Sequence, residues 1–417
     1  MRGIVCVLIV LLAFACNSGE KGARTATPAP SPSATATATA TPKLTAIVSP
    51  TVSSTAAQLA YIDGDGDMWL INADGSDKRS ATERTPVRCL WPLGLYWSPT
   101  GRWVACVGTG PVLTPQATLV IVDLQGKPLL QMEPKAQLGG FSWSPTGRDY
   151  AYVLALPDGT RQLYIEPIGA GGHAGATLEG VGEAFWSPDG SQVAYAKGPG
   201  DTLTIYDLAS RQEKIIGDGL RPLTWVLGGT ALLVASDYEE ALSMFPTYTA
   251  NLLDLATREL RRMPQLDNTA QFWPSPDGRT AAVYTHQAGE EIALLDLTTG
   301  AVTPIPGTVP YIREWIPPNH IAFSSDGSQL FWADFLPIPN EGVRSVAIYR
   351  ANTDGSGNAT VGQIESVEVR FSPDLTKVLY RSAVPGMQNP LWVANVDGSE
   401  ARLLAEDAWP AAWRPTP

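Results

Sequence analysis

The chain has 417 residues, 44% of them hydrophobic and 8% aromatic, enough for a large packed core. Its 39 glycines and 35 prolines against 17% charged residues point to many turns and away from a helical bundle. With 29 Lys and Arg against 41 Asp and Glu the formal net charge is −12, which repels phosphate backbones and disfavours nucleic-acid binding. Three histidines and four cysteines leave little for a metal cluster, and no cofactor is indicated.

Met1-Arg2 and the apolar run from Gly3 to Ala15, too short to span a bilayer, read as a signal peptide over residues 1–15. Two processing readings stand side by side. Ala13-Phe14-Ala15 is an A-x-A site for ordinary cleavage and secretion, whereas Leu12-Ala13-Phe14-Ala15-Cys16 resembles a bacterial lipoprotein signal, which implies lipidation at Cys16. The sequel favours the second: Asn17-Ser18-Gly19 is followed, from Thr25 to Pro42, by nothing but Thr, Ala, Pro and Ser. Such a composition has no core to form and a proline-stiffened backbone, so residues 16–57 are expected to be a disordered tether. The expected address is the outer face of the cell membrane or the periplasm, through an N-terminal lipid, with a secreted form as the alternative. Cys6 leaves with the signal, and Cys89 and Cys106 remain as the thiols of the folded part. In an exported protein they are free to oxidise. A bond between them would contribute about 3 kcal/mol in the chain-entropy picture, and two buried thiols are the other reading.

From residue 58 onward the chain repeats itself. An aromatic followed by a polar turn recurs as Trp97-Ser-Pro-Thr-Gly101, Trp143-Ser-Pro-Thr-Gly147, Trp186-Ser-Pro-Asp-Gly190, Trp225-Val-Leu-Gly-Gly229, Trp273-Pro-Ser-Pro-Asp-Gly278, Trp315-Ile-Pro-Pro-Asn319, Phe371-Ser-Pro-Asp-Leu375 and Trp413-Arg-Pro-Thr-Pro417. The spacings run from 39 to 56 residues, around the 40 to 45 or so of a four-stranded propeller blade. Out of phase with the anchors, an apolar run closed by an acid or amide recurs eight times, among them Met68-Trp-Leu-Ile-Asn72, Leu119-Val-Ile-Val-Asp123 and Ile292-Ala-Leu-Leu-Asp296. The alternation is that of strands, and Ser-Pro-Asp-Gly is a tight turn in which Pro presets φ and Gly accepts its positive value. The series opens on strands that lack an anchor, Leu59–Ile62 and Met68–Asn72, and closes on an anchor, Trp413, that lacks strands. The two fragments complete one blade. The predicted fold is therefore an all-β propeller over residues 58–417 with eight four-stranded blades, sealed by the C-terminal strand against the N-terminal ones. Seven blades is the alternative, because Phe323-Ser-Ser-Asp-Gly327 reads as a second turn inserted into the Trp315 unit.

Lines such as Met68-Trp-Leu-Ile-Asn-Ala-Asp-Gly-Ser76, Phe185-Trp-Ser-Pro-Asp-Gly-Ser-Gln-Val-Ala-Tyr195 and Leu391-Trp-Val-Ala-Asn-Val-Asp-Gly-Ser399 resemble the TolB-type propeller repeat of exported bacterial proteins. The resemblance covers nearly all of the folded part and implies the fold far more than a function. A tether stands where TolB carries an N-terminal domain, so its partner contacts do not transfer. The propeller half of prolyl-oligopeptidase-like peptidases is similar too, but the Gly-x-Ser-x-Gly elbow of their hydrolase domain does not occur here.

Little else points to chemistry. Asp63-Gly-Asp65-Gly-Asp67 has alternate carboxylates, but Met68 stands where a calcium loop needs Gly, and the segment reads as a hairpin between strands. His173, His286 and His320 are scattered over separate units without metal spacing, so neither a metal site nor a catalytic residue is expected. Variation falls instead on the connections between the second and third strands: 108–116, 237–248, 334–342 and 384–389. These share one face of the ring, and loops on a rigid scaffold carry binding. Tyr238, Glu239, Glu240, Phe245 and Tyr248, with Asp334 and Phe335, mix acids and aromatics and are the candidate binding residues. Cover of their own blade is the structural reading of Phe245 and Tyr248. The expected function is a monomeric, non-catalytic module that binds a protein or a cell-wall glycan partner. The rivals are a carbohydrate-binding propeller and a propeller hydrolase or lyase with a site at the channel mouth.

Overall fold

The computed structural model describes residues 58–82, 89, 92–109, 117–132, 136–169, 175–198, 200–239, 247–267, 272–285, 291–305, 321–336, 345–366, 368–382 and 389–415. Every sheet has four antiparallel strands, and there are eight of them. Blade 1 joins Leu59–Asp63, Met68–Ile71 and Arg79–Ser80 to the C-terminal strand Ala408–Trp413, which pairs with Leu59–Asp63. Blades 2 to 8 follow in chain order over residues 92–132, 137–179, 181–217, 221–262, 272–304, 321–365 and 368–405. In each blade the strands, here A to D, lie in sequence order, with Ala408–Trp413 serving as strand A of blade 1. The A strands of neighbouring blades approach one another and form the inner wall of the ring.

The core lies between blades rather than within them. Alternate residues of one strand enter different clusters: Leu59 and Tyr61 pack with blade 8, through Leu379, Leu391 and Val393, while Ala60 and Ile62 pack with blade 2, through Trp97, Val104 and Val120. Both sheet faces are buried, so strands B and C read as nearly unbroken apolar runs with a period of two in their partners. Eight such clusters among the described residues, each shared by two neighbouring blades, run round the ring and close it.

The anchor tryptophans bind blade to blade through their polar edge. The indole Nε1 of Trp97 donates to Ala412 O at 3.2 Å, that of Trp143 to Tyr96 O at 3.1 Å and that of Trp225 to Phe185 O at 2.8 Å. Trp186 donates to Ser142 Oγ at 3.1 Å and Trp413 to Arg370 O at 2.9 Å. Each acceptor lies on strand A of the preceding blade, so a buried indole finds the partner it needs and fixes one blade's rotation against the next.

In six of the eight blades the A–B turns repeat one set of bonds. In blade 4, Ser187 Oγ donates to Asp189 Oδ1 at 2.6 Å, Ser191 N donates to the same oxygen at 3.0 Å, and Ser187 Oγ accepts from Gln192 N at 2.9 Å. Gly190 closes the turn at φ 70°. Blades 6, 7 and 8 repeat it around Asp277, Asp326 and Asp374, and in blades 2 and 3 Thr100 and Thr146 replace the acid.

Two expectations need correction. The anchor of blade 7 is Phe323, at the end of strand A (Ile321–Phe323), and Ser324 to Gly327 is that blade's own A–B turn. Trp315 lies outside the described residues. Ser324 Oγ donates to Asp326 Oδ1 and accepts from Gln329 N, the bonds that mark the A–B turn in the other blades, and so the anchor place falls to Phe323 just before it. The repeat is thereby regular and the count is eight, not seven. The variable connections are also shorter than expected: strand B of blade 5 runs to Glu239 and strand C starts at Thr247, so Tyr238 and Tyr248 are strand residues, as are Asp334 and Phe335 in Gln329–Phe335.

Candidate functional site

The B–C and D–A connections share one face of the ring, and the candidate binding residues sit on the strand ends that lead into it. In blade 5 the ladder between strands B and C slips between Ser236 and Glu239, with Asp237 at φ 52°. A bulge of this kind re-aims a side chain, and an acid tolerates the left-handed backbone better than most residues. The Tyr238 ring stacks on the Tyr248 ring, with centroids 6.3 Å apart and planes 14° from parallel. The guanidinium of Arg221, at the start of strand A of the same blade, lies 4.0 Å from the Tyr238 centroid. Its Nε stands 2.7 Å from Asp201 Oδ2, which belongs to the B–C turn of blade 4. A carboxylate, a guanidinium and two phenol rings from two blades thus form one half-buried patch.

Near Tyr248 lies Asp267, in the connection from blade 5 to blade 6. Its two oxygens accept from Arg262 Nη1 and Nη2, each at 2.6 Å, and Oδ1 also accepts from Ala250 N at 2.9 Å. Burial, then the Asp267 carboxylate and the Tyr238 ring, push the Tyr248 phenol up to about 12. Tyr248 also packs against the cluster shared by blades 5 and 6, so it covers its own blade as well as facing Tyr238.

Of the other candidates, Glu239 is placed by its backbone alone, in register with Thr247, and Glu240 and Phe245 lie outside the described residues. Asp334 is half-buried near the end of strand B of blade 7, two blades away, and raises the Tyr349 phenol as the second cause after burial. Phe335 is fixed by its backbone, in register with Val346. The structure therefore brings Tyr238 and Tyr248 together and leaves Asp334 apart. Sequence reasoning missed Arg221, on strand A, and Asp201, in a turn of blade 4, which sit 17 and 37 residues before Tyr238. Counting the A–B register from the Trp225 turn, which sets Arg221 opposite Ala235, was the signal that could have found the first.

Asp63 spends its carboxylate on its own hairpin. Oδ1 accepts from Asp65 N at 3.0 Å and Asp67 N at 2.9 Å, and Oδ2 accepts from Trp69 Nε1 at 2.7 Å. Cys89 and Cys106 are joined to each other, with Cα atoms 6.2 Å apart, and the bond ties the segment entering blade 2 to that blade's strand B. His173, His286, His320 and Cys16 lie outside the described residues.

No protein-family model matches the chain, and no curated protein matches it. Solved structures match its fold. It is similar to a eukaryotic initiation factor at 16% identity and a TM-score of 0.50, over 87% of this chain and 100% of the other. It is similar to a prolyl endopeptidase at 12% identity and a TM-score of 0.50, over 75% of this chain and 49% of the other, about half of that enzyme. TolB from Acinetobacter baumannii matches at 15% identity and a TM-score of 0.33, over 76% of this chain and 83% of its own. At such identities the likeness is one of fold: the chain carries an eight-bladed β-propeller.

Proposed function

We propose that the protein is an exported, membrane-tethered propeller whose loop face binds a protein partner of the cell envelope without catalysing a reaction on it. The observation that carries this reading is the Arg221–Tyr238–Tyr248 stack with Asp201, a cross-blade patch of arginine and tyrosine on a rigid frame. Arginine and tyrosine are among the residue types that dominate protein interfaces, because each offers broad contact area with a polar edge. The export signal and the tether of residues 16–57 supply the address and the reach. A sugar platform fits this patch less well, since the Tyr238 ring face is already engaged by a guanidinium and by a second ring. An enzymatic reading gains nothing from the depressed carboxylates, for Asp189, Asp277 and Asp326 are held down first by the serine hydroxyls of their own turns.

The test is affinity capture from solubilised envelope with residues 58–417 as bait, beside the same bait carrying Tyr238→Ala, Glu239→Ala and Tyr248→Ala. A partner captured by the first and lost by the second, with both baits folded by circular dichroism, supports the reading. Equal capture by both moves the site elsewhere, and no capture by a folded bait turns attention to a glycan array.

A further inference from the structure

A second site lies where the ring closes, between blades 8 and 1, on the far side from the patch of blades 4 and 5. Its residues follow from register. In blade 8 the A–B ladder sets Glu368 opposite Arg381 and Arg370 opposite Leu379, while Val369 and Tyr380 take the other face and pack toward blade 7. Leu379, Leu391 and Ala411 belong to the cluster shared by blades 8 and 1, so Glu368, Arg370 and Arg381 face the seam. The Glu368 carboxylate joins the two cations: Oε1 accepts from Arg370 Nε at 3.1 Å, and Oε2 accepts from Arg381 Nη2 at 3.3 Å. Arg381 Nη1 donates in turn to Asn389 Oδ1 at 2.9 Å. The Glu368 side chain is 4% exposed, against 20% for Arg370 and 24% for Arg381. One buried carboxylate, a charge that persists at such depth only when paired, thus holds two guanidiniums that both reach solvent.

A small cavity of about 10 Å³, room for one water-sized atom, opens beside these groups and is lined also by Leu379, Leu391 and Ala411. Of the described residues that line it, Arg370 and Arg381 are cationic and Glu368 is anionic, which leaves one positive charge in excess on a chain of net charge −12. The Glu368 charge is neutralised, each of its oxygens accepting from one guanidinium. Asp407 stands behind Asn389 and does not line the cavity: its Oδ1 accepts from Asn389 Nδ2 at 3.2 Å and its Oδ2 lies against Gly64. These walls select among ligands. A cation is repelled by both guanidiniums, and a neutral amide gains little from the excess charge. A tetrahedral phosphate brings more oxygens than the space admits. A carboxylate is planar, sends one oxygen inward and matches the fork of a guanidinium, the pairing in which such bonds are strongest. We propose that the seam binds a carboxylate group, with one oxygen in the cavity between Arg370 and Arg381 and the other toward solvent, and with Glu368 as the residue that positions both guanidiniums.

The experiment titrates the full chain with acetyl-Gly-Glu-Gly-amide, its glutamine and lysine analogues, acetate and inorganic phosphate, by ligand-observed NMR. The glutamate peptide should bind about tenfold more tightly than the glutamine peptide, as a charge-assisted bond requires, and the lysine peptide should not bind. Arg370→Gln leaves Glu368 paired with Arg381 and should weaken the glutamate peptide about tenfold. Lys214→Gln, which removes the same charge from an exposed position on strand D of blade 4, should leave that affinity unchanged. A glutamate peptide bound more tightly than acetate names a polypeptide as the source of the carboxylate, and equal affinities name a free small acid; both support the site. No binding of the glutamate peptide, equal affinity for the glutamate and glutamine peptides, an unaltered affinity in Arg370→Gln, or an equal loss in Arg370→Gln and Lys214→Gln overturns the proposal. Phosphate bound more tightly than either carboxylate reassigns the seam to a phosphate group and overturns it as well. Should Arg370→Gln lose its cooperative melting transition, the glutamate and glutamine peptides on the unaltered chain decide the matter alone.

Discussion

The turn face and the loop face of the ring both use aspartate, to opposite ends. On the turn face, Ser187, Asp189 and Ser191 bond to one another and to their own backbone within five residues, and the pattern recurs in blades 6, 7 and 8. Their polar capacity is consumed locally, which makes a rigid, regular edge. On the loop face, Arg221 and Asp201 reach each other from different blades, and Tyr238 and Tyr248 from strands facing a connection of seven residues, 240–246. There the side chains are positioned by the frame rather than by their neighbours in sequence. The contrast separates residues that build the scaffold from residues that the scaffold holds out.

The sharpest way to break this division is to attack the scaffold. Trp186→Ala removes a buried indole together with its bond to Ser142 Oγ, and large-to-small changes of this kind cost about 3 to 5 kcal/mol. Denaturant titration should show that loss, while partner binding per folded molecule stays unchanged. Binding lost at full folding would mean that the scaffold and the site are not separable.

Replacing both Cys89 and Cys106 by Ala releases a loop of 17 residues and should cost about 3 kcal/mol in the chain-entropy account, read as a lower melting temperature that reductant no longer affects. A variant as stable as the parent would show that the interblade cluster around blades 1 and 2 suffices without the bond.

On the turn face the pH response follows from hydrogen bonding. The Asp326 carboxyl is held down to about 2, first by the Ser324 hydroxyl and then by the Ser328 amide and hydroxyl. A carboxylate whose acidity is raised by folding stabilises the fold above its unfolded value of roughly 4, and that contribution disappears as pH falls through about 2. Ser324→Ala should move the Asp326 titration, followed by carboxyl carbon NMR, upward toward the ordinary range, and acid unfolding should begin at higher pH. An unmoved titration would contradict the local origin of the turn's rigidity.

The smallest effect on stability belongs to the loop face. Tyr238→Ala removes a half-buried ring and a cation–π contact of about 0.5 to 1 kcal/mol. The melting temperature should move by no more than a few degrees while partner capture is lost. A large fall in stability would place Tyr238 with the scaffold instead.

The repeat was legible because its cause is local. A Ser-Pro-Asp-Gly turn needs those residues at those positions, and an indole every few tens of residues marks the strand before it. Blade 7 misled because a phenylalanine, Phe323, takes the anchor place there, while Trp315 with a proline two residues on carries the same motif residues in sequence. The indole bonds were illegible for a different reason: Trp143 and Tyr96 are 47 residues apart, and nothing in either segment names the other. The same holds for Asp201 and Arg221.

By itself the sequence determined the strands, the tight turns, the blade repeat and the need to join the two ends, since each follows from short-range backbone preference and period-two burial. The tertiary structure alone decided where Arg221 meets Tyr238, that Cys89 meets Cys106, and that Gly139, Gly182 and Glu183 fall on bulges of the inner wall. Those outcomes depend on the twist and register by which one sheet packs on the next, a property of pairs of blades that no single segment encodes.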